Sequence, residues 1–227
     1  MSIATLIIGE TGTGKTTSLR NLTPETTLLI QALKKPLPFK SANWTPIVQG
    51  QRGGSVLTTD NPQTIVSVMK KSRRPVVVID DFQYVLANEY MRRTAETGYQ
   101  KFTDIGRNAW DILNCAMSLS DRVRVYILSH STTDDFGHTR IKTIGKMLDE
   151  KITVEGMFSI VLRTVVRDGE YWFSTRNSGN DTVKTPMDMF PSELIPNDLK
   201  AVDDAICAYY SVTPATPLRA VGNAAST

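Results

Sequence analysis

Apolar residues along this chain fall into short runs separated by polar, glycine- or proline-marked breaks, the spacing expected of strands interleaved with helices. Thr5–Ile8 reads as a buried strand that stops at Gly9, and Lys15–Leu22 as a helix start closed by Asn21 and Pro24. Thr27–Gln31 reads as a second strand. Residues 32–61 carry Pro36, Pro38, Pro46, Gly50, Gly53 and Gly54, which predict a long irregular connection with one strand at Ile47–Val48. Asn61-Pro62 is a helix opening, a capping side chain followed by a first-turn proline, for a helix that reaches Lys71. Val76–Asp80, four aliphatic residues and an acid, suits a parallel strand covered on both faces.

Helices are expected over Phe82–Arg93 and Thr103–Ser118, a strand over Val123–Ser129, and a polar loop from Ser131 to Thr143. A short helix around Lys146–Ile152 and a strand over Phe158–Val166 follow. Asp168-Gly169 predicts a hairpin turn, with Tyr171–Thr175 returning antiparallel. The last helix is expected over Asp198–Tyr210. Strands alternating with helices up to about residue 130 predict right-handed βαβ units. The fold class is therefore α/β, a mainly parallel sheet flanked by helices with a C-terminal antiparallel hairpin. Residues 1–210 are expected to form one domain; 211–227, rich in Pro, Ala, Thr and Gly, are expected to be a disordered tail.

Composition adds limits. The 227 residues fit a single domain, and 41% hydrophobic with 22% charged residues is ordinary for a globular chain. A net charge of +3 means that any nucleic-acid surface has to be a local patch. Cys115 and Cys207 sit in apolar helical stretches, so buried free thiols in a reducing compartment are expected. With His130 and His138 as the histidines, no zinc-ligand spacing appears. The opening apolar run lacks the length and basic flank of a signal peptide, and no run reaches the roughly 20 residues of a membrane span. The expected location is cytoplasmic, without a membrane partner.

The segment Gly9-Glu10-Thr11-Gly12-Thr13-Gly14-Lys15-Thr16 matches G-x-x-x-x-G-K-[ST] in full, between an expected strand and an expected helix. Glycines let backbone N–H groups close on phosphate oxygens, and the helix start adds partial positive charge. Gly9 to Thr16, with Thr17, are thus candidate ATP-binding residues. Lys15 would neutralise the β- and γ-phosphates, and Thr16 would ligate magnesium (Mg2+). A second acid should stand at the end of a neighbouring strand; Val76–Asp80 supplies Asp80 for the metal, and Asp81 is a candidate base orienting water. The next strand ends in Ser129-His130-Ser131; the chain is similar here to P-loop ATPases of the additional-strand type, in which a polar residue at this place can sense the γ-phosphate, which implies His130 or Ser129.

These segments occur in the order and spacing of RecA/Rad51-type ATPase cores. The chain resembles the small bacteriophage ATPases of that group, which are linked to single-strand annealing and recombination; Val76–Tyr90, Gly137–Gly156 and Phe158–Asn177 carry the likeness. The resemblance implies a RecA-like P-loop core, ATP with magnesium as cofactors, host-cytoplasmic location, and side-by-side assembly into a homo-oligomer with ATP at subunit junctions. It also implies single-stranded DNA as partner, met by residues 88–107 (Arg92, Arg93, Tyr99, Lys101, Arg107) and 131–146 (Phe136, His138, Arg140, Lys142, Lys146). Arg176 corresponds to the basic residue sent to a neighbour's phosphate, with Lys184 as a second candidate. One departure from RecA is that Thr27–Gln31 continues into Ala32-Leu33 with no strand-end glutamate. Two other readings stand beside the DNA-dependent ATPase. One is an ATP-gated switch holding a replication or recombination protein, as helicase loaders do. The other, a small-molecule kinase, would need a lid with several arginines, and residues 131–146 hold only Arg140.

Overall fold

The computed structural model describes residues 1–51, 53–145 and 147–214. Its strands are β1 (Ile3–Gly9), β2 (Thr27–Gln31), β3 (Val56–Thr58), β4 (Val76–Asp80), β5 (Arg124–Thr133), β6 (Thr139–Ile141), β7 (Ile160–Arg167), β8 (Glu170–Ser174) and β9 (Leu194–Pro196). The α-helices are α1 (Pro62–Lys71), α2 (Gln83–Arg92), α3 (Gln100–Ser118) and α4 (Leu199–Tyr209). The sheet order is β3-β2-β4-β5-β1-β7-β8-β9, with β6 paired to β5 off this path. From β3 to β7 the pairing is parallel, and β8 and β9 add antiparallel strands. This is an α/β fold around a mixed, mostly parallel sheet.

β5 lies between β1 and β4, and the register aligns Gly9 with His130 and Ile79 with Ile127. The C-terminal ends of these three strands therefore meet at one rim. Alternation along the strands divides the core. Leu6, Ile8, Ile30, Ile79 and Ile127 face α1 and α3 through Ile65, Met69, Ile105 and Ile112. Ile7, Leu29, Val78, Leu128 and Phe173 face the other way, toward Leu19, Leu199, Val202 and Ile206. A sheet covered on both faces explains why its central strands read as unbroken apolar runs.

A buried ion pair fastens α4 to the sheet. Arg124, fully buried on β5, donates from Nε and Nη2 to the two carboxylate oxygens of Asp203 at 2.8 and 2.9 Å. The Tyr126 hydroxyl donates to the same carboxylate at 2.5 Å, and Arg124 Nη1 donates to the Arg122 carbonyl at 2.9 Å. Burial works against the charge on Arg124, but Asp203 outweighs it and holds the guanidinium above its ordinary range.

Several expectations are corrected. The segment expected as a polar loop from Ser131 is a hairpin: β5 runs on to Thr133 and β6 returns from Thr139. Its β-branched threonines favour extended backbone, and the Thr133 and Thr139 hydroxyls pair across it at 3.0 Å. At the tip, Asp134 Oδ1 accepts from the N–H groups of Phe136 and His138 at 3.0 and 2.9 Å. β3 forms at Val56–Thr58 rather than at Ile47–Val48, where Pro46 contributes a single bridge to Val56. Proline has no N–H for the ladder, and Gly53 and Gly54 break the intervening chain. The helix after the glycine loop is one short 3-10 segment, Thr16–Asn21, and the helix expected at Lys146–Ile152 is a single π turn, Met147–Lys151. β9 was not expected at all. Helix α1 forms where the sequence places it, with Asn61 Oδ1 accepting from Thr64 N at 2.8 Å.

The two thiols are buried and free. Residues 215–227 of the expected tail lie outside the described residues. Among the described residues no helix is long and apolar enough to cross a membrane. The sheet closes on two edges of three residues each, β3 under its bridge to Pro46 and β9 ending on Pro196.

Candidate functional site

The glycine-rich loop leaves β1 at Gly9 and enters the short helix at Thr16. Gly12 and Gly14 have φ of 80° and 92°, in the left-handed region that side chains avoid. At Gly14 a Cβ would also stand 2.9 Å from Tyr171 Cδ1 and 3.2 Å from Asn197 Oδ1. At Gly9 it would collide with the Thr164 hydroxyl. Thr13 Oγ1 donates to the Glu10 carbonyl at 2.7 Å and lies 2.6 Å from Thr164 Oγ1, which pins the loop to β7. Glu10 and Thr11 are exposed.

Lys15 is 7% exposed and donates from Nζ to the carbonyls of Gly9 and Glu10 at 2.8 and 2.7 Å. Burial pushes its ammonium down to about 8, against the pull of Asp81 and Asp80. The Thr16 hydroxyl donates to the Asp80 carboxylate, 3.0 Å from either oxygen. Asp80 is 1% exposed, and burial together with the neighbouring charge of Asp81 pushes its carboxyl up to about 6. Asp81, with φ of 61°, turns into the site at the end of β4. One of its oxygens lies 3.7 Å from His130 Nε2, and the other is ion-paired with Lys35. Although burial favours its neutral form, the basic side chains of His130 and Lys35 beside it hold Asp81 below the ordinary carboxylate range. Tyr84 meets the His130 ring edge-on, centroids 5.7 Å apart.

These groups border an open cleft of about 410 Å³, whose walls include Gly12, Lys15, Thr17, Lys35, His130 and Tyr171. A desolvated lysine, a loop of N–H groups and two neighbouring hard oxygens are groups that could hold a phosphate chain with a cation. Thr16 and Asp80 fit magnesium, whose preference is for one or two protein oxygens alongside phosphate. Among the described residues no three His, Cys, Asp or Glu side chains gather as a metal cage. When bound, magnesium would neutralise phosphate charge.

The buried Asp80 charge has a consequence for stability. A carboxyl raised from 3.8 to about 6 on folding leaves stability undisturbed below pH 3.8 and erodes it as pH rises toward 6. The full cost above pH 6 is about 2–3 kcal/mol. Asp80→Asn is therefore expected to raise the melting temperature at pH 7.5 in metal-free buffer, with the gain shrinking toward pH 4. An equal or lower melting temperature at pH 7.5 would contradict this account.

The other predicted site residues are not gathered here. Arg176 is exposed just past β8, beyond Ser174, which pairs with Arg163. Lys184 is exposed and its backbone pairs with Val161. In residues 88–107 the cations pair within the chain, with Arg92 and Arg107 remaining exposed. Arg92 bonds Asp60 at 2.6 Å, Arg93 bonds Glu89, Glu96 and Asp104, and Arg107 bonds Asp111. Lys101 is buried and donates to the carbonyls of Glu96 and Arg93. Tyr99 is exposed. On the β5–β6 hairpin Phe136 is 85% exposed at the tip, with exposed His138, Arg140 and Lys142 nearby; Lys146 lies outside the described residues.

Sequence reasoning missed Lys35, Tyr84 and Tyr171. Tyr171 had a usable signal, since the Asp168-Gly169 turn carries the following residues back along the glycine loop. Lys35 had none, lying in a segment without periodicity. Compared with protein-family models and with curated proteins, the chain matches none.

Proposed function

We propose that the chain is a magnesium-dependent P-loop ATPase with a RecA-like core, acting with single-stranded DNA in phage recombination or replication. The observation that carries this reading is the meeting of Lys15, Thr16, Asp80, Asp81 and His130 at one rim, supplied by the glycine loop and the ends of β4 and β5. The position of β5 between β1 and β4 supports an additional-strand ATPase core. Lys15 would bind the β- and γ-phosphates, and Thr16 and Asp80 would hold magnesium. Asp81 would accept a hydrogen bond from the attacking water, and His130 Nε2 would report the terminal phosphate to it. In an assembly of copies, Arg176 is the candidate for charge donated across a junction.

The β5–β6 hairpin is the favoured DNA contact, with Phe136 as a stacking face and Arg140 and Lys142 as phosphate cations. The pairing of Arg93 and Lys101 within the chain makes residues 88–107 the weaker candidate for DNA contact, although Arg92, Tyr99 and Arg107 are exposed there. The same pairing, with a β2 end that lacks an acid, favours a second reading, an ATP-gated switch for a protein partner. Phosphate release measured with and without a single-stranded oligonucleotide separates the two. Stimulation of several-fold, lost in Phe136→Ala, is expected. A rate indifferent to DNA leaves the switch.

A further inference from the structure

Lys35 lines the same cleft as Lys15 and the glycine loop, and its side chain is 40% exposed. It comes from the irregular segment after β2, and two features fix it there. The Gln31 side chain, at the end of β2, donates to the Lys35 carbonyl at 3.4 Å. Pro36 follows, which restricts Lys35 to extended backbone. Its ammonium is ion-paired with Asp81, the acid whose other oxygen faces His130. Asp81 thus has two basic partners, whereas Lys35 has one acid and an open side toward the cleft.

We propose that Lys35 is a second phosphate-binding lysine, which exchanges Asp81 for the terminal phosphate of a bound nucleoside triphosphate and thereby frees Asp81 to orient water. Lys35 has this role only if the cleft holds a nucleotide, the reading proposed above. The electrostatics favour the exchange. The Lys15 ammonium is depressed chiefly by burial and further by the charge of Lys35 across the same cleft, so an anion bound by both lysines relieves a repulsion as well as gaining a bond. A triphosphate reaches further along the cleft than a diphosphate, so Lys35 distinguishes the two. The charge is supplied within one chain and needs no neighbouring copy. Asp81 remains occupied by Lys35 until the terminal phosphate competes for it, which couples triphosphate binding to readiness for hydrolysis.

The test is calorimetric binding of ADP and of a non-hydrolysable ATP analogue, each with magnesium, to the full chain. Lys35→Ala is expected to weaken the analogue about 10- to 100-fold, the worth of a charge-assisted hydrogen bond, and ADP by less than about 3-fold. Lys34→Ala, an exposed neighbour, is expected to leave both affinities in place. Asp81→Asn removes the competitor for Lys35; it should tighten analogue binding, and do so less in the Lys35→Ala background. An unchanged analogue affinity in Lys35→Ala, or equal losses for ADP and analogue, would overturn the role of Lys35. If wild type binds neither nucleotide, the nucleotide reading itself falls, and the role of Lys35 with it.

Discussion

Lys15→Ala is expected to lower magnesium-dependent phosphate release by about 10²- to 10³-fold, the usual cost of removing one preorganised group that stabilises developing charge. Lys15 is well placed to have so large an effect. It is almost fully buried, tied to the carbonyls of its own loop and flanked by two aspartates, so it cannot be replaced by a mobile surface cation. The loop is pinned to β7 through Thr13 and Thr164, and the glycines set its path, so the fold should survive the substitution. Melting temperature therefore serves as the control. Its cost is the loss of two hydrogen bonds to carbonyls, offset by removal of a desolvated ammonium. Phosphate release that persists at the wild-type rate would show that the loop is a structural turn and that turnover comes from elsewhere.

Asp203→Ala is expected to destabilise the fold by about 3–5 kcal/mol, because it strands a buried guanidinium. For a chain of this size that lowers the melting temperature by roughly 6–20 °C. Arg124 is fully buried at the start of the central strand, and Asp203 takes two of its hydrogen bonds and that of Tyr126 as well. The substitution thus leaves three buried donor groups without an acceptor, two on Arg124 and the Tyr126 hydroxyl. A companion variant distinguishes lost charge pairing from lost packing: Arg124→Met and Asp203→Leu with Tyr126→Phe should recover most of the stability, since matched apolar replacements of buried pairs are often neutral and no hydroxyl is left unpaired. Urea unfolding of the three proteins measures this. A loss below about 1 kcal/mol in the single variant would mean that water reaches the pair.

The strands that face helices on both sides were legible because their environment leaves one solution. Val76–Ile79 can be an unbroken apolar run only if both faces are covered, and Leu28–Ile30 of β2 follows the same rule. Asp168-Gly169 was legible for a local reason, with Asp168 at φ of 53° and Gly169 at 78°. The glycine loop and its two partners at the strand ends were legible through spacing alone. What failed was decided at a distance. β9 is three residues long, contains a proline and exists because β8 offers it an edge. The β5–β6 hairpin is polar because it projects from the sheet, so it lacks the apolar alternation that marks a strand. Lys35 gives no local signal, since its partner Asp81 comes from another strand end. Asp203 looks like any acid on a helix until β5 is seen to bury an arginine beneath it.

The short edges of the sheet bear on how the protein can meet other chains. A peptide recruited by backbone pairing needs a long free strand with its N–H and carbonyl groups facing outward. β3 offers three residues already bridged by Pro46, and β9 offers three that finish on a residue with no N–H. Neither can template another strand over a useful length. The molecule should therefore resist end-to-end growth into fibres at high concentration. At these two described edges, a partner, a second copy included, has to be recognised by side chains.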